Sequence, residues 1–202
     1  MKKVNTLMKT GLGGVVLFII ICLSIDSAFG HVGVSVTSGP TSTSPTIDGI
    51  LSPDEWDSAS TLPFIIGPAS QTVSGTLYVM HDSEFLYVAA VVSDPTWGVN
   101  SFQLVFDNNN DGIAEVGDDA LVANLGENSG GDDYFNGGCC YLFDVDDGGT
   151  NDITSFGLYT DNQATFELRH PLCSSDTAHD FCLTPGSAVG FNIVYQPGNG
   201  AF

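Results

Sequence analysis

No long stretch of this chain repeats its apolar residues with the 3.6-residue period of a helix. Short runs rich in Val, Leu, Phe and Tyr follow one another instead: GTLYVMHD (75–82), EFLYVAAVVSD (84–94), SFQLVFD (101–107), DALVANL (119–125), CCYLFDV (139–145), TSFGLYTD (154–161), QATFELRH (163–170) and AVGFNIVYQ (188–196). Gly, Asn and Asp separate them. Runs of this length and spacing predict an all-β fold, an antiparallel β-sandwich of jelly-roll type. The polar turns HDSE (81–84) and TDNQ (160–163) have hairpin length. One helical turn is expected, over residues 52–59, with Ser52 as its N-cap and Glu55 three residues on.

The chain has 202 residues, 24 acids and four basic residues, Lys2, Lys3, Lys9 and Arg169. The three lysines precede an apolar run, Leu12 to Ile25, which ends in small residues, Ala28 and Gly30. That order predicts a secretory signal over 1–30, with cleavage after Gly30. An uncleaved signal segment would be the one route to a membrane. A segment or linker over 31–45, including TSGPTSTSPT (37–46), would lead into a single domain over 46–202. A chain this acidic repels polyanions, so nucleic-acid binding and attraction to anionic lipid are excluded on charge. An exported chain favours disulfides. The candidates are Cys173, Cys182, Cys139 and Cys140. Cys173 and Cys182 flank a short loop and can pair, and Cys139 or Cys140 can reach that loop instead.

Half of the acids lie between Asp107 and Asp152, a stretch without Lys, Arg or His. Within it, FDNNNDGIAEVGDDA places Asp107, Asn109 and Asp111 at alternate positions, Gly112 at the sixth and Asp118 at the twelfth. Ile113 at the seventh would offer its carbonyl. This is the ligand spacing of a calcium loop, with Asp where the last Glu usually stands. Calcium takes about 6–8 hard oxygen ligands, and Gly lets the chain turn around the ion. The run before the loop reads as a strand, so the loop is expected between two strands. Asp144, Asp146 and Asp152 in DVDDGGTND form a second, less specific metal candidate.

Several stretches, TIDGILSPDEWDSA (46–59), LYVAAVVSDPT (86–96), FQLVFDNNNDG (102–112), FELRHPL (166–172) and PGSAVGFNIVY (185–195), resemble the family 9 carbohydrate-binding module and its DOMON-like relatives. The resemblance runs from about Thr46 to Phe202. It implies a β-sandwich, often with bound calcium, in a secreted or cell-surface protein with neighbouring domains or self-association. It implies that Ile47 and Trp56 cover one end of the sandwich. A glucose-like ring would stack on aromatic faces, for which Trp97 is the first candidate, with Tyr134 and Phe135 behind it. The family continues into a final strand where this sequence stops at GNGAF, so the sandwich is expected to lack its last strand.

The leading expectation is a non-catalytic, calcium-stabilised module that binds polysaccharide or a cell-surface glycan. Other readings stay open. One is a calcium-stiffened adhesion or filament domain without a sugar. Another is a haem-binding domain, with Met80, His81, His170 and His179 as available ligands. The last is a copper enzyme that uses His31 as a new amino terminus. No G-x-S-x-G elbow is present.

Overall fold

The structure is a computed structural model that describes residues 34–67, 72–95, 101–137 and 141–196. The signal segment, His31, Trp97, Cys139 and Cys140 lie outside those residues. Among the described residues no helix is long and apolar enough to cross a membrane.

Twelve strands are described. They are β1 (Gly39–Pro40), β2 (Ser60–Ile66), β3 (Val73–His81), β4 (Phe85–Ser93), β5 (Ser101–Asp107), β6 (Asp119–Asn124), β7 (Gly126–Glu127), β8 (Gly131–Phe135), β9 (Tyr141–Phe143), β10 (Thr154–Thr160), β11 (Gln163–Pro171) and β12 (Gly190–Gln196). They form two sheets. The first has the order β1-β3-β4-β11-β10-β7, with β2 also on β3, and the second has the order β12-β5-β6-β8-β9. All pairs are antiparallel except β1 with β3. The antiparallel sandwich expected from the sequence is the observed fold.

Alternation along the strands explains how the sheets meet. A strand turns successive side chains to opposite faces. In β4, Leu86, Val88, Ala90 and Val92 enter the core, and so do Ala164, Phe166 and Leu168 of β11. Phe102, Leu104 and Phe106 of β5, with Leu121 and Ala123 of β6, meet them from the second sheet. Phe102 stacks on Phe166 with ring centroids 6.0 Å apart. Each such side chain, fully buried, stabilises the fold by about 1.5–3 kcal/mol before entropy is subtracted.

The same alternation puts Met80, Tyr87 and Ala89 on the outer face of the first sheet, where Trp56 packs over them. Trp56 therefore covers a face of the sandwich rather than an end. Its indole Nε1 donates to Glu167 Oε1 at 2.8 Å, and Asp48 and Gly49 donate their amides to Oε2 at 2.9 and 2.7 Å. Glu167 is completely buried.

Turn chemistry decides the connections. Asp161 and Asn162 have φ of 52° and 63°, which gives the two-residue β10–β11 hairpin the backbone twist it needs. Between β3 and β4, Asp82 Oδ1 accepts the amides of Glu84 and Phe85 at 2.7 and 2.8 Å.

Two local expectations change. Residues 53–58 form turns instead of a helix: Asp54 stands at φ 73°, outside the helical region, and the Glu55 carboxylate accepts from Thr46 (Oγ1 at 2.7 Å) rather than capping a helix. Part of the 31–45 segment joins the sandwich: Gly39–Pro40 pairs with Met80–His81, and Val36 packs on the core. A Cβ on Gly39 would lie 1.9 Å from the Ser58 carbonyl oxygen, so only glycine lets the chain pass that close.

Candidate functional site

The β5–β6 connection is the predicted calcium loop. Asp107 and Asp118 are 3% and 2% exposed. Their carboxylates face inward, onto the loop's own backbone. Asp107 Oδ1 accepts the Asp111 amide at 3.1 Å and Oδ2 the Gly112 amide at 2.6 Å. Asp118 accepts the Asn108 and Glu115 amides, each at 2.9 Å. Asn109 Oδ1 takes the Asp111 amide at 3.1 Å, and Asp111 Oδ1 takes that of Ile113 at 2.8 Å. Gly112, at φ 82°, makes the turn. The side chain of Ile113 is exposed. The loop thus winds around its acids, which serve as acceptors for amides that have no strand partner. Burial raises the Asp118 carboxyl, with Asp107 and Asp111 adding to it.

A second acidic group lies between the sheets. The core face of β11 continues past Leu168 to His170, which is 3% exposed. Across from it, Asp132 of β8 pairs in register with Leu121, and Asp119 opens β6 on the same core face. Asp180 comes from the loop closed by the Cys173–Cys182 disulfide. Asp144, fully buried, opens a one-turn 3-10 helix over Asp144–Asp147. His170 Nε2 stands 2.9 Å from Asp132 Oδ2 and 3.9 Å from Asp180 Oδ2, with side-chain exposures of 4%, 0% and 1%. Among the described residues, only Asp132, His170 and Asp180 bring three ligand atoms within 4.8 Å of one another.

This group differs from the loop in how its oxygens are satisfied. Both oxygens of Asp132, both of Asp144, Asp180 Oδ1 and His170 Nε2 are buried without a hydrogen-bond partner. His170 Nε2 and Asp132 Oδ2, 2.9 Å apart, form an ion pair when the imidazole is protonated. Asp180 Oδ2 accepts the Ser174 hydroxyl, and Asp119 Oδ1 accepts the amide of Ala120 at 2.6 Å.

The electrostatics follow from burial and like charge. Asp144 is pushed up to about 9 by burial, Asp132 and Asp180. Asp119 is raised well above the usual carboxylate range by burial, then by Asp132, Asp180 and Asp144. Asp133 is raised to about 6 by burial, Asp132 and Asp146. Burial would lower His170, but Asp132 and Asp180 outweigh it and raise the imidazole.

The other predicted residues scatter. Of Asp144, Asp146 and Asp152, only Asp144 enters the buried group. Asp146 is exposed on the 3-10 helix, and Asp152 is half-buried. Tyr134 donates its hydroxyl to Asp147 Oδ2 at 2.6 Å, which pushes the phenol up to about 12, and meets the His179 ring edge-on at 4.7 Å. Phe135 faces Tyr141 at 5.3 Å, and with Phe143, 43% exposed, they form an aromatic row on the β8–β9 edge. Cys173 and Cys182 pair with each other. The four haem candidates part company. Met80 is buried on the outer face, His81 Nδ1 meets Ser38 Oγ at 2.8 Å, His179 Nδ1 meets Asp176 Oδ1 at 2.7 Å, and His170 sits among the carboxylates.

Sequence reasoning did not find Asp119, Asp132, His170 and Asp180 as a group. Its one signal was His170 itself, a titratable residue two positions beyond Leu168 on the core-facing register.

No family model matches this chain, and no curated protein matches it either. Solved structures do match. One is a family 9 carbohydrate-binding module from Caldicellulosiruptor kristjanssonii in complex with cellotriose. It is 17% identical with a TM-score of 0.51, over 81% of this chain and 77% of that one. Another is a family 9 module from the same organism in complex with glucose, at 17% identity and a TM-score of 0.52, over 83% and 79% of the two chains. The fold is that of a family 9 carbohydrate-binding module. At this identity the likeness speaks for the family 9 fold and leaves the ligand to be argued.

Proposed function

We infer that this chain is a secreted, non-catalytic carbohydrate-binding module that takes a glucose-like sugar or a glucan of such units. The observation that carries the reading is the family 9 fold, shared over about four-fifths of the chain with modules solved in complex with cellotriose and glucose. The half-exposed aromatic row on the β8–β9 edge supports it, since sugar C–H faces stack on aromatic rings. Phe135 belongs to that row, Tyr134 lies on the opposite face of β8, and Trp97 is the third stacking candidate. Calcium in the β5–β6 loop belongs to the same reading. Asp107, Asn109, Asp111, Ile113 and Asp118 lie in one turn. A carboxylate oxygen that accepts one amide keeps lone pairs for a cation.

Calorimetric titration of the secreted chain with cellotriose and with glucose, in calcium, tests this. Saturable binding is expected, weakened at least about tenfold by Trp97→Ala or Tyr134→Ala, a loss of about 1.4 kcal/mol. Heats indistinguishable from dilution, for both sugars and for insoluble cellulose, would overturn it.

A further inference from the structure

We propose that Asp132, Asp180 and the Nε2 of His170 hold a divalent cation between the two sheets, with Asp144 and Asp119 beside it. The site is separate from the β5–β6 loop and does not rest on sugar binding.

Geometry carries it first. A cation about 2.1–2.4 Å from each donor needs neighbouring donors roughly 3–3.5 Å apart, and no more than about 4.8 Å apart when they stand opposite. The separations of 2.9 and 3.9 Å, in a set contained within 4.8 Å, meet that condition. Orphaned atoms carry it next. Buried polar groups are nearly always hydrogen-bonded. Here both oxygens of Asp132 and of Asp144 meet no amide or hydroxyl donor and are shut off from water; what faces them is the His170 ring, 2.9 Å from Asp132, and the Asp180 carboxyl, beside Asp144. Charge completes it. Four carboxylates surround one imidazole, and a protonated imidazole cancels only one of them. Among the described residues no Lys or Arg pairs with the group, and the one arginine there, Arg169, projects to the outer face over the Phe85 ring. A divalent ion would meet the buried oxygens of Asp132 and Asp180 and cancel half of the four carboxylate charges at once.

The donor set names the class of ion. Carboxylates suit Ca2+ and Mn2+, while an imidazole donor suits Zn2+ and is accepted by Mn2+. The five residues come from β6, β8, the 3-10 helix, the end of β11 and the disulfide-closed loop. An ion there would tie both sheets to that loop.

The test uses chain stripped by chelator and titrated with Mn2+, Zn2+ and Ca2+ in separate arms. Asp111→Asn serves as background, because it removes an exposed loop carboxylate. One equivalent is expected to bind in that background, and Asp132→Asn added to it should weaken binding at least about tenfold. Asp180→Asn repeats the measurement if Asp132→Asn does not fold. On the unaltered protein, the first equivalent of Mn2+ should broaden the ring protons of His170 and leave those of His81 sharp. Preference for Zn2+ with at least a tenfold loss in His170→Gln makes Nε2 a ligand. Preference for Ca2+ with little loss makes the carboxylates the ligands and removes His170 from the assignment. The proposal is overturned if His170 stays sharp while the loop broadens, or if Asp111→Asn abolishes binding and Asp132→Asn does not.

Discussion

The β5–β6 loop and the group around His170 are both rich in aspartate, yet they stand in opposite physical states. In the loop, the oxygens of Asp107 and Asp118 accept four backbone amides between them. Without an ion the loop is still hydrogen-bonded. Between the sheets, Asp132 and Asp144 are as deeply buried, yet no backbone amide meets their four oxygens, which face the His170 ring and the Asp180 carboxyl instead. Ligand-like spacing in a sequence and the physical need for a cation are therefore different properties. The first marks the loop, and the second marks the sheet interior. Glu167 is a third case, a completely buried carboxylate with both oxygens satisfied by N–H groups.

Glu167 gives the largest expected effect. Glu167→Ala strands the Trp56 indole and two backbone amides and should cost about 3–5 kcal/mol. Denaturant unfolding measures it. A cost below about 1 kcal/mol would mean that satisfied buried carboxylates matter no more than surface ones. Next comes metal removal. If free cation stands at about 100 times its dissociation constant, chelation should cost roughly 2.7 kcal/mol. For a chain of this size that is about 5–10 °C in Tm. Asp132→Asn should lose the share of that shift that belongs to the ion between the sheets, and an undiminished shift would leave the loop as the ion's place.

Within the loop, Asp107→Ala frees two amides and should cost about 1–3 kcal/mol even in chelator. Asp111→Ala should cost less than about 1 kcal/mol in chelator and more in calcium, if the loop takes that ion. Equal costs in both conditions would leave its acids as amide acceptors only. Thermal melts with and without calcium separate the two.

The smallest effect is in pH. Burial raises the folded-state pKa of Glu167 despite its three hydrogen bonds. Its contribution is full below the unfolded value and is lost as pH rises through the folded one. The chain should therefore gain about 1 kcal/mol from this group between pH 7 and pH 4 for each unit of upward shift. Unfolding of parent and Glu167→Gln at both pH values isolates it, since the variant should lack that increment.

What the sequence made legible was local. Short runs rich in Val, Leu and Phe, such as EFLYVAAVVSD and QATFELRH, assigned the strands, and the polar turn TDNQ marked a hairpin. The loop was legible because its acceptors lie within twelve consecutive positions. Trp56 and Glu167 are 111 residues apart, and their bond exists only once β11 is central in its sheet. Asp119, Asp132, Asp144, His170 and Asp180 meet only through the sandwich topology, so no spacing rule could group them. Ser52 and Glu55 misled because Asp54 between them takes a left-handed φ of 73°, which no spacing of capping residues announces.

Native mass spectrometry of the purified chain, beside Asp111→Asn and Asp132→Asn, tests the contrast between the two acidic regions most directly. One bound divalent ion fewer on Asp132→Asn than on the parent, with that ion kept by Asp111→Asn, is the predicted result. An ion count that Asp132→Asn leaves unchanged, or a parent chain that carries none, would contradict it.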